Sequence, residues 1–226
     1  MKLSNKILLG FFGFIFLYLT AAFAELRMTG IPNIINDKNS TAETVNISGV
    51  THLIANGVDK QINVIGSDRA ELEVRSLSGD FLKKLKYKFS GDTLTLSGLQ
   101  SEETKTIKIS VFVPKARLKE ITPNSSSADV RGLQPAHLKI SQTSASIWLN
   151  DSRIAKIEMD LNHSYLHISG TNVDTLSAKI ERSQVNIYSP VGLVQGTMKN
   201  DSFLRLINIG EIQLKKDESS RLNMFQ

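Results

Sequence analysis

From Val45 onward, apolar residues recur at every second position in short runs that end at Gly, Asn, Asp or Pro. The runs "KQINVIG", "AELEVRS" and "KTIKISVFVP" have this period. A period of two is typical of β-strands, because successive side chains of a strand point to opposite faces. The chain after residue 24 has no convincing helical stripe, so we predict an all-β fold.

The segment "YKFSGDTLTL" predicts a β-hairpin. A Gly91-Asp92 pair lies between two alternating runs, Tyr87–Phe89 and Thr93–Leu96, and such a pair is a signal for a tight turn. We therefore expect the two runs to pair as antiparallel neighbours.

The second half of the chain repeats one motif, a hydroxyl residue with apolar residues two and four places after it. The copies begin at Ser126, Thr143, Ser164, Ser183 and Ser202. The residues two and four places on are Ala128, Ala145, Leu166, Val185 and Leu204, then Val130, Ile147, Ile168, Ile187 and Leu206. Repeats of about 20 residues are typical of β-solenoids, whose turns stack about 4.8 Å apart. We predict a solenoid of about 19–20-residue rungs, with Leu166, Val185 and Leu204 in one interior row.

The corners of this coil carry a second regularity. Asn124, Asn162 and Asn200 each precede a motif serine by two places, and they are evenly spaced at twice the repeat length. Asn tolerates left-handed backbone, so these residues are predicted turn corners, although they also form N-x-S/T glycosylation motifs. The last unit breaks the register by one place at Met198, which indicates a bulge or a terminal rung.

The N-terminus differs from the rest. Lys2 and Lys6 precede an uncharged apolar stretch, residues 7–24, that ends in Ala22-Phe23-Ala24. This order is typical of a secretory signal peptide with an A-x-A cleavage site. An uncleaved membrane anchor is the alternative, since about 20 apolar residues span a bilayer. In both cases we expect the rest of the chain to be exported, to the periplasm or the cell surface.

These patterns predict five segments along the chain. They are a signal peptide or membrane anchor (1–24), a linker (25–44), an N-terminal β section (45–115), solenoid repeats (116–213) and a charged C-terminal tail (214–226). The tail is expected at the open end of the stack, where its charges discourage edge-to-edge growth. Its charged residues are Lys215, Lys216, Asp217, Glu218 and Arg221.

Composition excludes several kinds of chemistry. The chain has no cysteine, so disulfides, zinc–thiolate sites and thiol nucleophiles are excluded. Its net charge of +5 is small for 226 residues, and it has no basic run with interleaved aromatics, so we expect no nucleic-acid partner. We expect no cofactor, and contact with a membrane only through residues 7–24 if they are uncleaved.

A family resemblance follows the order of the segments. The succession "VNISGVTHLIANGVDKQINVIG", "AELEVRS", "GDTLTLSG", "SVFVPKARLKEI" and "SSADVRG" resembles the GIN head domain family of auto-transporter adhesins, which are bacterial envelope proteins. It covers about residues 45–213. Ser126, Ser127 and Ala128 stand where Gly alternates in many members. The resemblance implies a right-handed parallel β-helix and, by name, adhesion or envelope structure; no activity is established for the family and it implies no catalytic residues.

Candidates for catalysis or metal binding are few. His163 and His167 are four residues apart near Asp160, but on a strand both would face one side as ordinary surface residues, so we expect no metal site. No serine lies in a G-x-S-x-G elbow, and we assign no catalytic residue. Solenoid enzymes that act on polysaccharides use outward charged groups, and four residues are candidates for that alternative: Asp129, Lys139, Asp151 and Arg205.

Outward aromatic residues give the candidate binding face. Tyr165 and Phe203 are expected in one column and Trp148 and Tyr188 in another, with His167, Asn186 and Arg205 between them. Exposed aromatics beside hydrogen-bonding groups suit flat sugar rings or a partner protein, although β-propensity alone also places aromatics on strands. We therefore expect a non-catalytic envelope module, adhesin-like, that binds a glycan or another envelope protein. A polysaccharide lyase or hydrolase is the alternative.

Overall fold

The computed structural model describes residues 3–29, 40–77, 82–99 and 107–225. It begins with one helix, α1 (Leu3–Thr29). Among the residues whose side chains are described, no helical stretch is both long enough and apolar enough to cross a membrane. Residues 30–39 of the predicted linker lie outside the described residues, and the division into five segments stays a prediction.

The rest of the described chain is β-structure, as the alternating pattern predicts. The first strands are β1 (Thr41–Asn46), β2 (His52–Asn56), β3 (Ile62–Ser67), β4 (Glu71–Ser76), β5 (Leu85–Ser90), β6 (Thr93–Leu99) and β7 (Lys108–Pro114). The next are β8 (Glu120–Asn124), β9 (Ser127–Arg131), β10 (His137–Thr143), β11 (Ser146–Asn150), β12 (Arg153–Asn162) and β13 (Tyr165–Ser169). The last are β14 (Asn172–Glu181), β15 (Gln184–Tyr188), β16 (Val191–Lys199), β17 (Phe203–Ile207), β18 (Ile209–Lys216) and β19 (Arg221–Phe225).

The strands of the described chain form two sheets around one core. The ten-stranded sheet has the order β1-β4-β7-β3-β9-β11-β13-β15-β17-β19. The nine-stranded sheet has the order β18-β16-β14-β12-β10-β8-β2-β6-β5. From β8 onward the chain alternates between the sheets, and each strand pairs in parallel with its equivalent one turn later. This is a β-solenoid of about six coils, so the predicted fold class is confirmed.

The interior row predicted from the repeat is confirmed. Leu166 is in register with Val185, and Val185 with Leu204. All three side chains are fully buried. Because one turn cannot enclose its inward side chains alone, each rung depends on its neighbours for burial.

The N-terminal section is interleaved with the coil. Strand β2 lies between β6 and β8, and β3 lies between β7 and β9, all in parallel. Strands β1, β4 and β7 pair antiparallel at one end of the ten-stranded sheet. The predicted hairpin is confirmed as β5 and β6, with Tyr87 opposite Leu96.

The predicted alignment of the Thr143 unit is wrong by two residues. Ile147 pairs with Ala128 and with Leu166, so Ala145, rather than Thr143, occupies the position of the motif serine. The equivalent positions are therefore 126, 145, 164, 183 and 202, which are evenly spaced along the chain. Small and polar residues flank this unit on both sides, and its sequence alone fits either register.

Left-handed corners occur one residue later than the predicted asparagines. Ser125, Ser144, His163, Arg182 and Asp201 have positive φ angles of 46–58° and share the even spacing of the repeat. Asn124 and Asn162 instead end strands β8 and β12, whereas Asn200 does have left-handed backbone. Asn200 is an extra corner residue next to Asp201.

A register change lies beside Met198, where the sequence pattern indicates one. Strands β14 and β16 pair at an interval one place shorter than the repeat, with Ile180 opposite Met198, while β15 and β17 keep the full interval. The extra left-handed residue, Asn200, restores the count before β17. Gly196 permits the close approach of the two strands, since a Cβ there would lie 1.8 Å from the carbonyl oxygen of Ala178.

The last two strands of the coil include residues of the charged tail. Strand β18 extends to Lys216, and β19 pairs in parallel with β17 as the last strand of the ten-stranded sheet. The charged residues 215–221 therefore belong to the final turn, and they lie on or between the edge strands of the two sheets.

Candidate functional site

The seven candidate residues lie on the outer face of the ten-stranded sheet, in three columns. The first column contains Ser127, Ser146, Tyr165, Gln184, Phe203 and Arg221. The second contains Asp129, Trp148, His167, Asn186, Arg205 and Asn223. The third contains Arg131, Asn150, Ser169 and Tyr188. We call this surface the aromatic face.

The column predicted for Trp148 is wrong. Trp148 is in register with His167 and Asn150 is in register with Ser169, so Trp148 and Tyr188 occupy neighbouring columns. The error has the same cause as the two-residue misalignment of the Thr143 unit. The seven residues still lie on one face.

Trp148 begins a chain of contacts across the aromatic face. Its ring centroid is 6.0 Å from that of Tyr165, at an interplanar angle of 52°. The Asn186 amide donates a hydrogen bond of 3.3 Å to the Tyr165 hydroxyl. Trp148 and Tyr165 are half-buried, so each keeps part of its ring open to solvent.

A second set of contacts is centred on Tyr188. The Tyr188 ring lies 5.2 Å from the His167 ring, and its hydroxyl accepts a hydrogen bond of 3.2 Å from Arg205. The Arg205 guanidinium also lies 5.6 Å from the Phe203 ring and 5.8 Å from the Phe225 ring. Tyr188 is 42% exposed, the most open aromatic among the seven residues.

Asn186 is unusual for an outward position, because it is only 4% exposed. Its Oδ1 atom and the Nε atom of Arg205, its neighbour in the same column, are both buried without a hydrogen-bond partner. One is an acceptor and the other a donor, on residues that are in register in neighbouring strands. The two side chains form the polar floor between the aromatic rings.

A second surface, the groove of the nine-stranded sheet, contains one of the four charged candidates from the sequence, Lys139. It encloses about 670 Å³, and its lining includes Lys139, Lys156, Glu158, Asp160 and Lys179. Lys139 and Glu158 are in register, as are Asp160 and Lys179, and each pair is one repeat apart in sequence. Opposite charges at the repeat interval are the sequence signal that could have revealed the groove.

The charges in the groove form ladders between rungs. Lys179 Nζ lies 2.9 Å from Asp160 Oδ2, and Lys139 Nζ lies 2.9 Å from Glu120 Oε1. The hydrogen bond to Glu120 raises the pKa of Lys139, and the hydrogen bond to Asp160 raises the pKa of Lys179. Both lysines are therefore held in their cationic form.

Two further sites with titratable residues, one at His163 and one at His52, lie outside the aromatic face and the groove. His163 lies at a left-handed corner, where its ring contacts the side chain of Asn162, and no cluster of three metal-binding side chains occurs among the described residues.

Thr51, His52 and Asp92 form a polar cluster between β2 and the β5–β6 turn. The Thr51 hydrogen bond lowers the pKa of Asp92, but hydroxyl and carboxylate both contact His52 Nδ1, which leaves no proton relay through the ring.

The comparisons with known proteins show the fold. Neither a protein-family model nor a curated protein matches the chain. Among solved structures, a candidate adhesin from Bacteroides fragilis superposes with a TM-score of 0.62 at 12% identity, over 84% of this chain and 98% of that chain. A candidate adhesin from Parabacteroides distasonis gives a TM-score of 0.53 at 13% identity, over 83% of this chain and 94% of that one.

Proposed function

We propose that the protein is an exported, non-catalytic module of the bacterial cell envelope that binds a ligand through the aromatic face. The observation that carries this proposal is the connected set of half-exposed rings and polar side chains on that face. The candidate adhesins that share the fold support an adhesin-like role.

A glycan is the ligand class that the aromatic face fits best, and another envelope protein is the alternative partner. The face of Tyr188 or Trp148 can stack on the apolar side of a sugar ring. Arg205 and His167, which contact Tyr188, supply hydrogen-bonding groups at the rim for the hydroxyls of the same sugar. Because these rings already contact one another, little side-chain entropy is lost on binding.

A double substitution, Trp148→Ala with Tyr188→Ala, tests the binding face. It removes one ring from each set of contacts, and we expect at least a tenfold loss of retention on a glycan array. The interior rows do not involve these side chains, so the thermal unfolding of the coil should change little.

The matched control is Phe89→Ala, which removes an exposed aromatic from the edge strand β5, outside the aromatic face. It should bind like the wild type. If the double variant binds glycans as well as Phe89→Ala does, the aromatic face is not the site. If no glycan is retained but a protein from the host envelope is captured with the same dependence on Trp148 and Tyr188, the partner is a protein.

The groove of the nine-stranded sheet carries the second candidate function, a polysaccharide-active enzyme. It holds two carboxylates, Glu158 and Asp160, two places apart on β12 among lysines, and a pair of carboxylates is the catalytic requirement of most glycoside hydrolases. If this candidate is correct, polysaccharide cleavage should fall at least 100-fold in Glu158→Gln, with folding preserved. A purified protein without cleavage activity on uronic-acid and neutral polysaccharides would rule against it.

We propose that the chain belongs to the GIN head domain family and winds right-handed, as its segment order implies. Residues 7–24 would then act as the export signal or as the anchor that places the module in the periplasm or on the cell surface. Mass spectrometry of the mature N-terminus in the native host distinguishes the two. A start at Glu25 means cleavage, and a start at the initiating residues means an anchor.

A further inference from the structure

Among the described residues, nothing covers the apolar end of the last turn of the coil. Within the described chain, β18 and β19 are edge strands and have no neighbour beyond them. Their inward residues continue interior rows whose preceding members are buried: Met224 follows Leu206 and is 58% exposed, although Leu206 is fully buried. Ile209, Ile212, Leu214 and Leu222 are likewise only partly buried. An uncovered apolar end with unpaired strands favours association.

We infer that this end binds a second copy of the chain, through antiparallel pairing of β18 with itself around Gln213. Outward charges on β18 have opposite signs on the two sides of Gln213: Glu211 precedes it and Lys215 follows it, and both are exposed. In a twofold pair centred on Gln213, Glu211 of one copy lies opposite Lys215 of the other. Ile212 then lies opposite Leu214 on the inner side, which extends the apolar interior across the junction.

The charges select this register over its neighbours. A pair centred on Glu211 would oppose two carboxylates, and a pair centred on Lys215 would oppose two ammonium groups, which destabilises a pair of strands. From the sequence, the charge of the tail, Lys215 included, is expected to discourage edge-to-edge growth. Together with Glu211, Lys215 instead discourages the slipped registers. A twofold contact of one end with itself is also closed, so it yields a dimer and no fibre.

Strand β19 is also suited to antiparallel pairing with its own copy. An antiparallel pair centred on Asn223 places Leu222 opposite Met224 on the inner side and Arg221 opposite Phe225 on the outer side. The first contact buries apolar surface, and the second places a guanidinium beside an aromatic ring. Gln213 and Asn223 are both exposed outward positions. One twofold axis would serve both strands where it passes the junction beside Gln213 and beside Asn223.

A cysteine at the proposed dyad tests the contact directly in the full chain, which has no cysteine of its own. Opposite residues of an antiparallel pair lie about 4.5–5.5 Å apart between Cα atoms, within the range for a disulfide. Gln213→Cys should therefore form a covalent dimer under mild oxidation in detergent. Gln195→Cys, one rung inward in the same column, would lie about 14 Å from its mate and should not.

Charge reversal separates this contact from association through α1. Glu211→Lys and Lys215→Glu should each weaken the dimer at least tenfold in sedimentation analysis, and the double variant should restore it. Equal cross-linking of the two cysteine variants, a monomeric wild type at all accessible concentrations, or single reversals that dimerise like the wild type would each overturn the inference. None of these outcomes bears on ligand binding at the aromatic face.

Discussion

At the scale of single residues, buried hydroxyls hold the corners of the coil together. The Ser183 Oγ accepts a hydrogen bond of 3.0 Å from the Ser164 N–H of the preceding rung and donates one of 2.6 Å to the Glu181 carbonyl. In the same way, the Ser164 Oγ accepts a hydrogen bond from the Ala145 N–H and donates one to the Asn162 carbonyl. A tight corner turns backbone N–H groups inward, and a short side chain with both donor and acceptor capacity satisfies them without filling the core.

Removing one hydroxyl from this ladder should cost stability. Ser183→Ala leaves the buried N–H of Ser164 without its acceptor, and we expect a loss of about 1–3 kcal/mol in the free energy of unfolding. Urea denaturation measures the change. Ser146→Ala, a half-buried outward position, is the matched control and should stay within about 0.5 kcal/mol of the wild type.

Adding the missing hydroxyl should have the opposite effect. Ala145 is the one member of its column from 126 to 202 without a hydroxyl, so Ala145→Ser places a donor near the Thr143 carbonyl, as Ser164 does for Asn162. We expect a gain of up to about 1 kcal/mol in the same denaturation experiment. A loss of stability would show that this rung has no room for the oxygen atom.

At the scale of elements, the corners determine where strands change sheet. The last corner, between β18 and β19, depends on the Asp217 carboxylate. It accepts hydrogen bonds from the backbone N–H groups of Asn200 and Ser220 and from the Ser219 hydroxyl. The carboxylate thus connects the final corner to the left-handed corner of the preceding turn.

This corner should weaken in acid. Hydrogen bonds, first of all from the Ser220 side chain, lower the pKa of Asp217 from 3.8 to about 2. A carboxylate with a lowered folded-state pKa contributes stability above its unfolded pKa, and this contribution is lost as the pH falls from about 4 to about 2. The melting temperature of the wild type should therefore approach that of Asp217→Asn over this range. A constant difference between the two would contradict the assignment.

At the scale of the whole molecule, the coil is a stack of equivalent turns, each in contact with its neighbours. Strands one turn apart stay in register at one constant interval from 126 to 206 in the ten-stranded sheet. Stability is then a sum of turns and of contacts between adjacent turns, with no single indispensable rung.

Removal of one complete turn should be tolerated. Deletion of residues 164–182 removes one full repeat and joins the corner residue His163 to Ser183. Ser183 is the equivalent of the deleted Ser164, so every later side chain stays on its face. We expect a folded β protein with a lower free energy of unfolding, seen by circular dichroism and urea denaturation. Deletion of residues 165–182 removes one residue fewer than a full repeat. The register of β15 then shifts by one place, which turns its inward residues outward, so this variant should not fold cooperatively.

How far the sequence predicts the molecule is clearest from three cases. The sequence predicts that Leu166, Val185 and Leu204 share a row, because a buried row admits only apolar residues and these recur at a fixed interval. Ala145 was misplaced because small residues fit both the inner row and the corner, so local pattern does not choose between registers. The groove residues Glu158 and Lys179 were overlooked because outward positions tolerate many side chains and carry little pattern.

The sequence by itself determined the all-β fold, the short solenoid repeat, the hairpin and the interior rows outside the Thr143 unit. Each follows from alternating burial along the chain and from its recurrence at one interval. Only the tertiary structure decided that β2 lies between β6 and β8, that Arg205 reaches Tyr188 and that Asn186 is buried. Those facts depend on which strands become neighbours, and neighbouring strands can be 68 residues apart in the sequence, as Asn56 and Asn124 are. The packing of the whole coil selects these neighbours.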